Sequence, residues 1–305
     1  NVNGENGWYI TKPMINLTAS KPATIYYHWD EDDKQVYLHN ITAPEGVHTI
    51  FYYSVDTSGT REEVQWKTLK VDTTKPYLES VYPGNNSFIN NTKPVLKLNF
   101  SEEIQTIHSS LDNHEIEFNT NDNITFTVNT SLAEGKHRLR VEVKDEAGNQ
   151  VSYVMEFTVD VTKPTAKVDL PSADDVVSEK NVYVTVNATD NYGVNQIEFK
   201  VIQGNTTFNS STFSGEEKHV FVFNTSSYPD GSYTLVVRVS DYAGNSAIYS
   251  TTVTVSKEEV ASPLLLLLLG IMVSTGFFIV YIVAVKRMKG KMVFQWIFHR
   301  ILRNH

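Results

Sequence analysis

Residues 134–149 read EGKHRLRVEVKDEAGN, and residues 230–245 read DGSYTLVVRVSDYAGN. In both stretches an acidic residue and a glycine precede alternating apolar and polar residues, and the stretch closes on D-x-x-G-N. Residues 45–60, EGVHTIFYYSVDTSGT, keep the spacing but end on threonine. Alternation is typical of a half-buried β-strand, and Asp followed by Gly is typical of a tight turn. Each stretch therefore predicts a strand, a turn and a returning strand.

Two similar strings, VDTTKP at 71–76 and VDVTKP at 159–164, follow the first two copies of this unit. Proline forces an extended approach and is excluded from central strands, so each string predicts a domain boundary. We therefore predict an Ig-like β-domain at 1–75 and Ig-like β-sandwiches at 76–163 and 164–257. In the third unit we expect seven strands, near 166–170, 181–188, 195–202, 206–213, 217–224, 232–240 and 246–255.

An uncharged stretch of leucine-rich sequence spans residues 264–285. As a helix it would be roughly 33 Å long, enough to cross a bilayer core of about 30 Å. Lys286, Arg287 and further bases follow it, and no acidic residue does. The positive-inside rule then predicts a single-pass protein of the cell membrane, with the N-terminus outside and a basic tail, 286–305, in the cytoplasm. The apolar spacing within this tail predicts a short amphipathic helix against lipid.

The predicted extracellular part is rich in Asn-x-Ser/Thr sequons. Chance placement would give about four or five of them, whereas 11 are present: Asn16, Asn40, Asn85, Asn90, Asn99, Asn123, Asn129, Asn187, Asn205, Asn209 and Asn224. We therefore predict a glycoprotein. Many sequons without any cysteine indicate an archaeal surface protein rather than a eukaryotic one.

The composition argues against several classes of function. The chain has no cysteine, which excludes disulfides, Cys-ligated zinc and a cysteine nucleophile. Its net charge of −9 argues against nucleic-acid binding. No nucleophile elbow, phosphate-binding loop or dinucleotide fingerprint occurs. Neighbouring acids such as Glu102-Glu103 are interpreted as solvated charge, so we predict no catalytic residues and no cofactor.

Calcium is the one metal for which the sequence offers candidates. Asp145 and Asp241 in the D-x-x-G-N turns, with Asp72 and Asp160 in the linkers, supply carboxylate oxygens. Calcium needs six to eight oxygens and one turn supplies two or three, so turn capping alone also accounts for these residues. Asp190-Asn191 is a further oxygen source. The aromatic residues Tyr26, Tyr27, Trp29, Tyr37, Tyr52 and Tyr53 suit either stacking on sugars or a strand core.

The quoted motifs carry a family resemblance. The first unit, with NGWYITKPMINLTAS before it and VDTTKP after it, resembles the GWY-type Ig-like β-domain of archaeal and bacterial surface proteins. Residues 76–161 resemble the Ig-like modules of S-layer proteins, and residues 164–256 resemble bacterial Ig-like domains. Thr60 departs from the pattern, because asparagine is usual there. The resemblance implies stalk, spacer, adhesive or lattice-forming modules without catalytic residues.

The sequence thus predicts a membrane-anchored structural, stalk or adhesion protein of the cell surface. A component of an S-layer is one form of this role. Its expected partners are membrane lipid through the helix at 264–285 and other surface proteins or glycans. A second interpretation is the membrane-proximal stalk of a surface hydrolase, such as a subtilisin-like protease, with its catalytic domain before Asn1.

Overall fold

The structure, a computed structural model, describes residues 2–178, 180–215 and 217–257. Within these ranges every regular element is a β-strand except one 3-10 turn, Thr225–Ser227. This part of the chain is all-β, as the alternating sequence predicts. The predicted transmembrane helix at 264–285 and the tail at 286–305 lie outside the described residues. Among the residues described, no helix is long and apolar enough to cross a membrane.

The first domain is a five-stranded sheet covered by a two-stranded ribbon. Its strands are β1 Trp8–Tyr9, β2 Met14–Ile15, β3 Ala23–Trp29, β4 Gln35–Val36, β5 Ile41–Thr42, β6 Gly46–Asp56 and β7 Gln65–Val71. The large sheet has the order β1-β7-β6-β3-β4, and β2 pairs with β5. This second layer is smaller than that of a full sandwich, and only Ala43, Ile50, Leu69 and Val71 form the buried core.

The second domain is a sandwich of a four-stranded and a five-stranded sheet. Its strands are β8 Leu78–Tyr82, β9 Ser87–Ile89, β10 Val95–Phe100, β11 Thr106–Leu111, β12 His114–Glu115, β13 Asn119–Thr120, β14 Thr125–Asn129, β15 Gly135–Lys144 and β16 Gln150–Val159. The sheet orders are β13-β14-β10-β8 and β12-β11-β15-β16-β9. Alternate residues of β15, such as Leu139, Val141 and Val143, are buried between the sheets, which is why the sequence alternates there.

The third domain is also a sandwich, with a three-stranded and a five-stranded sheet. Its strands are β17 Thr165–Asp169, β18 Asp175–Val177, β19 Asn181–Thr189, β20 Val194–Gln203, β21 Thr206–Ser214, β22 Lys218–Asn224, β23 Gly231–Asp241 and β24 Ser246–Val255. The sheet orders are β17-β19-β22 and β18-β24-β23-β20-β21. All seven predicted strands form. The additional strand, β18, has only three residues and therefore shows no alternation.

Each domain contains, as its first or second strand, a short strand that runs parallel to the last strand of that domain. These pairs are β1 with β7, β9 with β16, and β18 with β24. The residue one or two positions before each short strand has positive φ: Asn6 at 49°, Asn86 at 59° and Asp174 at 65°. Asn and Asp tolerate this left-handed conformation better than other non-glycine residues. The three domains therefore repeat this short parallel strand and the positive-φ residue before it, as well as the turn between their last two strands.

A histidine supports the glycine turn that opens β6 in the first domain. The His48 Nδ1 atom lies 2.6 Å from Asp30 Oδ2, and its Nε2 atom lies 2.7 Å from the Glu45 carbonyl oxygen. Both partners are acceptors, so the ring makes both hydrogen bonds only as the imidazolium. His137 repeats the arrangement in the second domain, with Asp112 Oδ2 at 2.6 Å and the Ala133 carbonyl at 2.9 Å.

The stability of the first domain should fall as the pH rises above neutrality. The hydrogen bond that the His48 ring donates to Asp30, followed by that to the Glu45 carbonyl, raises the pKa of His48. A raised folded-state pKa means that the stabilisation is full below about pH 6.5 and is lost as pH rises through the folded pKa. We expect His48→Gln to reduce the difference in unfolding free energy between about pH 5.5 and about pH 8.5, as measured by urea unfolding. His108→Gln, at an exposed histidine, is the control. An equal slope in wild type and His48→Gln would contradict the prediction.

Candidate functional site

The D-x-x-G-N turns fold around the aspartate side chain. In the second domain Asp145 Oδ1 accepts hydrogen bonds from the amides of Gly148, at 2.8 Å, and Asn149, at 2.9 Å. Gly148 has a φ of 97°, which favours glycine. In the third domain Asp241 Oδ1 accepts from the Asn245 amide at 2.8 Å. The aspartate therefore caps the amide four residues on in both turns and, in the second domain, also the amide three residues on.

The asparagine that ends each of these turns binds the linker before its own domain. Asn149 Nδ2 donates to the Asp72 carbonyl at 3.0 Å, and Asn245 Nδ2 donates to the Asp160 carbonyl at 2.8 Å. An equivalent hydrogen bond thus crosses the domain boundary at each of the two junctions. Thr60, the departure in the first unit, instead contacts Ser58 within its own turn. The sequence motif is therefore a junction motif as well as a turn.

The first junction has a second connection, made by the N-terminal segment. The Glu5 amide donates to the Ala147 carbonyl at 2.8 Å, and Asn6 Nδ2 donates to the Glu146 carbonyl at 2.9 Å. Lys144 Nζ lies 2.7 Å from Glu5 Oε1. Residues 4–6, which we call the clasp, therefore hold the 145–149 turn of the following domain.

The second junction uses aromatic rings at the corresponding place. Phe88, from β9 of the second domain, packs on Tyr242 with ring centroids 5.7 Å apart and on Tyr192 at 6.2 Å. Tyr242 follows Asp241 in the turn, so its position matches that of Glu146 in the second domain. The region at and just before the short parallel strand of each preceding domain thus contacts the same turn, through residues 5 and 6 at the first junction and through the Phe88 ring at the second.

Each junction gathers three carboxylates from separate parts of the chain. Asp72, Glu102 and Asp145 meet at the first, and Asp160, Asp190 and Asp241 meet at the second. Within each group, one oxygen per residue lies within 4.8 Å of the others. One member comes from the linker, one from the loop after an early strand of the next domain, and one from its D-x-x-G-N turn. We call these groups the first and the second acidic cluster.

Burial and mutual repulsion affect the protonation of both clusters. Burial, followed by the charges of Asp72 and Asp145, raises the pKa of Glu102 to about 7. Burial is also the main cause of the raised pKa of Asp72. In the second cluster burial, then the charges of Asp190 and Asp241, raises the pKa of Asp160. Like charges held close together in a partly dry site disfavour ionisation in this way.

The four aspartates predicted as calcium candidates are therefore brought together in pairs. Asp72 joins Asp145, and Asp160 joins Asp241. The interpretation of Glu102 as solvated charge is wrong, because its side chain is partly buried beside two other carboxylates. The signal available in the sequence was the D-x-x-G-N spacing. The third acid of each cluster comes from the opposite sheet and lies 30 residues after the linker aspartate in both clusters, a repeat that the sequence interpretation missed.

The aromatic residues of the first domain divide between the two faces of its sheet. Tyr27, Trp29 and Tyr52 pack against the core. Tyr26 and Tyr53 stack on each other at 5.4 Å on the opposite face, where Arg61 covers the Tyr53 ring at 3.9 Å and Lys34 covers Tyr26. The Tyr37 hydroxyl donates to Asn40 Oδ1 at 3.0 Å. Three of the six candidate sugar-binding rings thus pack against the core, and the stacked pair is covered by cations.

All 11 predicted glycosylation sites lie within the described residues. Nine of the asparagines are exposed, whereas Asn99 and Asn224 are partly buried. Asn99 uses its side chain within the fold, since Nδ2 donates to Glu79 at 2.8 Å and Oδ1 accepts from Thr125 at 3.0 Å. Asn224 caps the 3-10 turn by accepting from the Ser226 amide. Glycosylation stays a prediction, and these two sites are the least accessible.

Two families match the chain. Residues 79–161 match the family described as bacterial Ig-like domain, and residues 164–237 match the family described as bacterial Ig domain. Two consecutive regions are therefore similar to bacterial Ig-like domains, in agreement with the resemblance noted for the third unit. No curated protein sequence matches the chain significantly.

Several solved structures are similar to the chain at low sequence identity. Fibronectin(III)-like modules of Clostridium thermocellum CbhA are 17% identical, with a TM-score of 0.44, over 59% of this chain and 94% of that one. A tetra-tandem repeat from the extending region of a large adhesion protein is 15% identical, with a TM-score of 0.29, over 77% of this chain and 66% of that one. A structure from a 1.5-MDa bacterial ice-binding adhesin is 14% identical, with a TM-score of 0.29, over 80% of this chain and 89% of that one.

Proposed function

We propose that this protein is a cell-surface spacer or adhesion protein, anchored by residues 264–285, whose Ig-like domains are coupled directly to one another. The observation that carries the proposal is the shared junction contact. In each linker the backbone carbonyl of an aspartate is bound by the asparagine that ends a turn of the next domain. A flexible tether between independent domains has no need of such contacts. The clasp and the Phe88 ring cluster add a second contact at each junction.

Direct coupling suits a protein that holds a surface at a distance from the membrane. Each linker is short and ends in Lys-Pro, which stiffens the chain. The nine sequons with exposed asparagines suit a glycosylated extracellular surface. The two matched families are described as bacterial Ig-like and bacterial Ig domains, and a structural role agrees with these descriptions. We include assembly into an S-layer and adhesion to surface glycans or proteins in this proposal.

Small-angle X-ray scattering on residues 1–257 tests the coupling. Three domains of about 30–40 Å placed end to end should give a maximum dimension on the order of 100 Å. The double variant Asn149→Ala, Asn245→Ala should broaden the distance distribution, because it removes one hydrogen bond at each junction. Asn121→Ala, at an exposed asparagine, is the matched control. A wild-type maximum dimension near about 60 Å, as for a compact globule, would contradict the spacer.

A further inference from the structure

The second acidic cluster differs from an ordinary group of surface acids in its burial. Asp160 and Asp241 are 0% and 1% exposed. Among the described residues, no salt bridge involves either of them or Asp190. Three carboxylate side chains thus meet in a largely buried junction and, among the described residues, form no salt bridge with a positive partner. Buried charges normally pair with an opposite charge or coordinate a metal.

Each of the three carboxylates keeps one oxygen for the cluster. The other oxygens are used within the fold: Asp160 Oδ1 accepts from the Thr162 amide, Asp190 Oδ2 from the Tyr192 amide, and Asp241 Oδ1 from the Asn245 amide. The remaining oxygens, Asp160 Oδ2, Asp190 Oδ1 and Asp241 Oδ2, are buried and have no hydrogen-bond partner. Unsatisfied buried oxygens are rare in folded proteins, and three that converge indicate a missing ligand.

We propose that Asp160, Asp190 and Asp241 bind a calcium ion through these three oxygens at the junction of the second and third domains. The donor set consists only of carboxylates, without His, which favours a hard cation. Calcium accepts irregular geometry and completes its shell with water or bidentate carboxylates, whereas magnesium requires a near-ideal octahedron. The linker, the β19–β20 loop and the D-x-x-G-N turn each supply one ligand, so the ion would join both domains. This proposal does not depend on the surface role.

The first acidic cluster shows why the proposal is limited to the second. There Asp145 Oδ2 already accepts a hydrogen bond from Asn149 Nδ2 at 2.9 Å. At the second junction Asn245 Nδ2 donates instead to the Asp160 carbonyl and, at 3.3 Å, to that of Thr162. Asp241 Oδ2 is thereby left free for an ion. The first cluster therefore serves as the internal comparison.

Calcium titration of the full 305-residue chain in mild detergent, after treatment with a chelator, tests the site by calorimetry. We expect wild-type binding with a dissociation constant at or below the 10⁻⁴–10⁻³ M range of extracellular calcium modules, and about tenfold or more weakening in Asp190→Asn. Asp145→Asn at the first cluster and Asp169→Asn at an exposed position should retain the binding. Magnesium should compete poorly. Absence of binding at about 10 mM calcium, unchanged binding in Asp190→Asn, or loss of binding in Asp145→Asn would each overturn the proposal.

Thermal unfolding of the same proteins separates a ligand role from a structural one. Without calcium, Asp190→Asn should unfold at a higher temperature than wild type, because it removes one of three repelling charges. With calcium the order should reverse, because only wild type gains from full binding. A variant less stable than wild type in both conditions would show that Asp190 acts through its hydrogen bonds alone and would overturn the proposal.

Discussion

Replacing Phe100 by alanine should lower the unfolding free energy of the second domain by about 3–5 kcal/mol. Phe100 is 1% exposed and lies at the end of β10, between the two sheets. Its ring packs edge-on against Phe126 at 5.9 Å and beside Tyr153 at 6.3 Å. A close-packed interior relaxes only partly around the lost ring, so the variant loses both transfer free energy and packing contacts.

Urea unfolding followed by hydrogen exchange in β10 and β14 measures this change domain by domain. Val154→Ala is the control, because Val154 lies in β16 of the same domain but is 44% exposed. The control should change stability by no more than about 0.5 kcal/mol. The third domain has its own core and should unfold as in wild type. A loss in Phe100→Ala as small as that in the control would contradict the assigned core.

Replacing Gly4 by alanine should destabilise the first junction by about 1–3 kcal/mol through overpacking. A Cβ atom on Gly4 would lie 2.5 Å from the Ala147 carbonyl oxygen and 2.8 Å from that of Trp8. Both are backbone atoms, so no side-chain rotation relieves the collision and the clasp has to move away. The hydrogen bond from the Glu5 amide to Ala147 should then be lost.

Gly84→Ala is the matched control for this prediction. Gly84 stands before the short parallel strand of the second domain, as Gly4 does in the first. A Cβ atom there would meet only Ser87, at an ordinary 3.8 Å. We expect Gly4→Ala, but not Gly84→Ala, to show faster hydrogen exchange of the Glu5 amide and a lower unfolding free energy. Equal effects of the two substitutions would mean that the clasp contributes nothing.

Local pattern alone predicted the strand pair of each repeat and the longer strands of the third domain. Residues 139, 141 and 143 alternate with polar neighbours because one face of β15 is buried, and the period of a strand is visible without knowing its partner. The prolines of the two linkers marked boundaries for a similarly local reason, since they restrict the residue before them. The small second layer of the first domain and the three-residue β18 were not predictable, because strands of two or three residues show no period.

The sequence by itself determined the all-β repeat, the turns at Asp145 and Asp241, and the acidic residues available for a site. Only the tertiary structure decided which acids meet. Asp160 ends one domain, Asp190 follows β19 in one sheet of the next, and Asp241 ends β23 in the opposite sheet. Their convergence depends on how two sheets pack and on how one domain sits on another. Such contacts join distant parts of the chain, so a spacing that repeats along the sequence does not by itself show that these side chains meet.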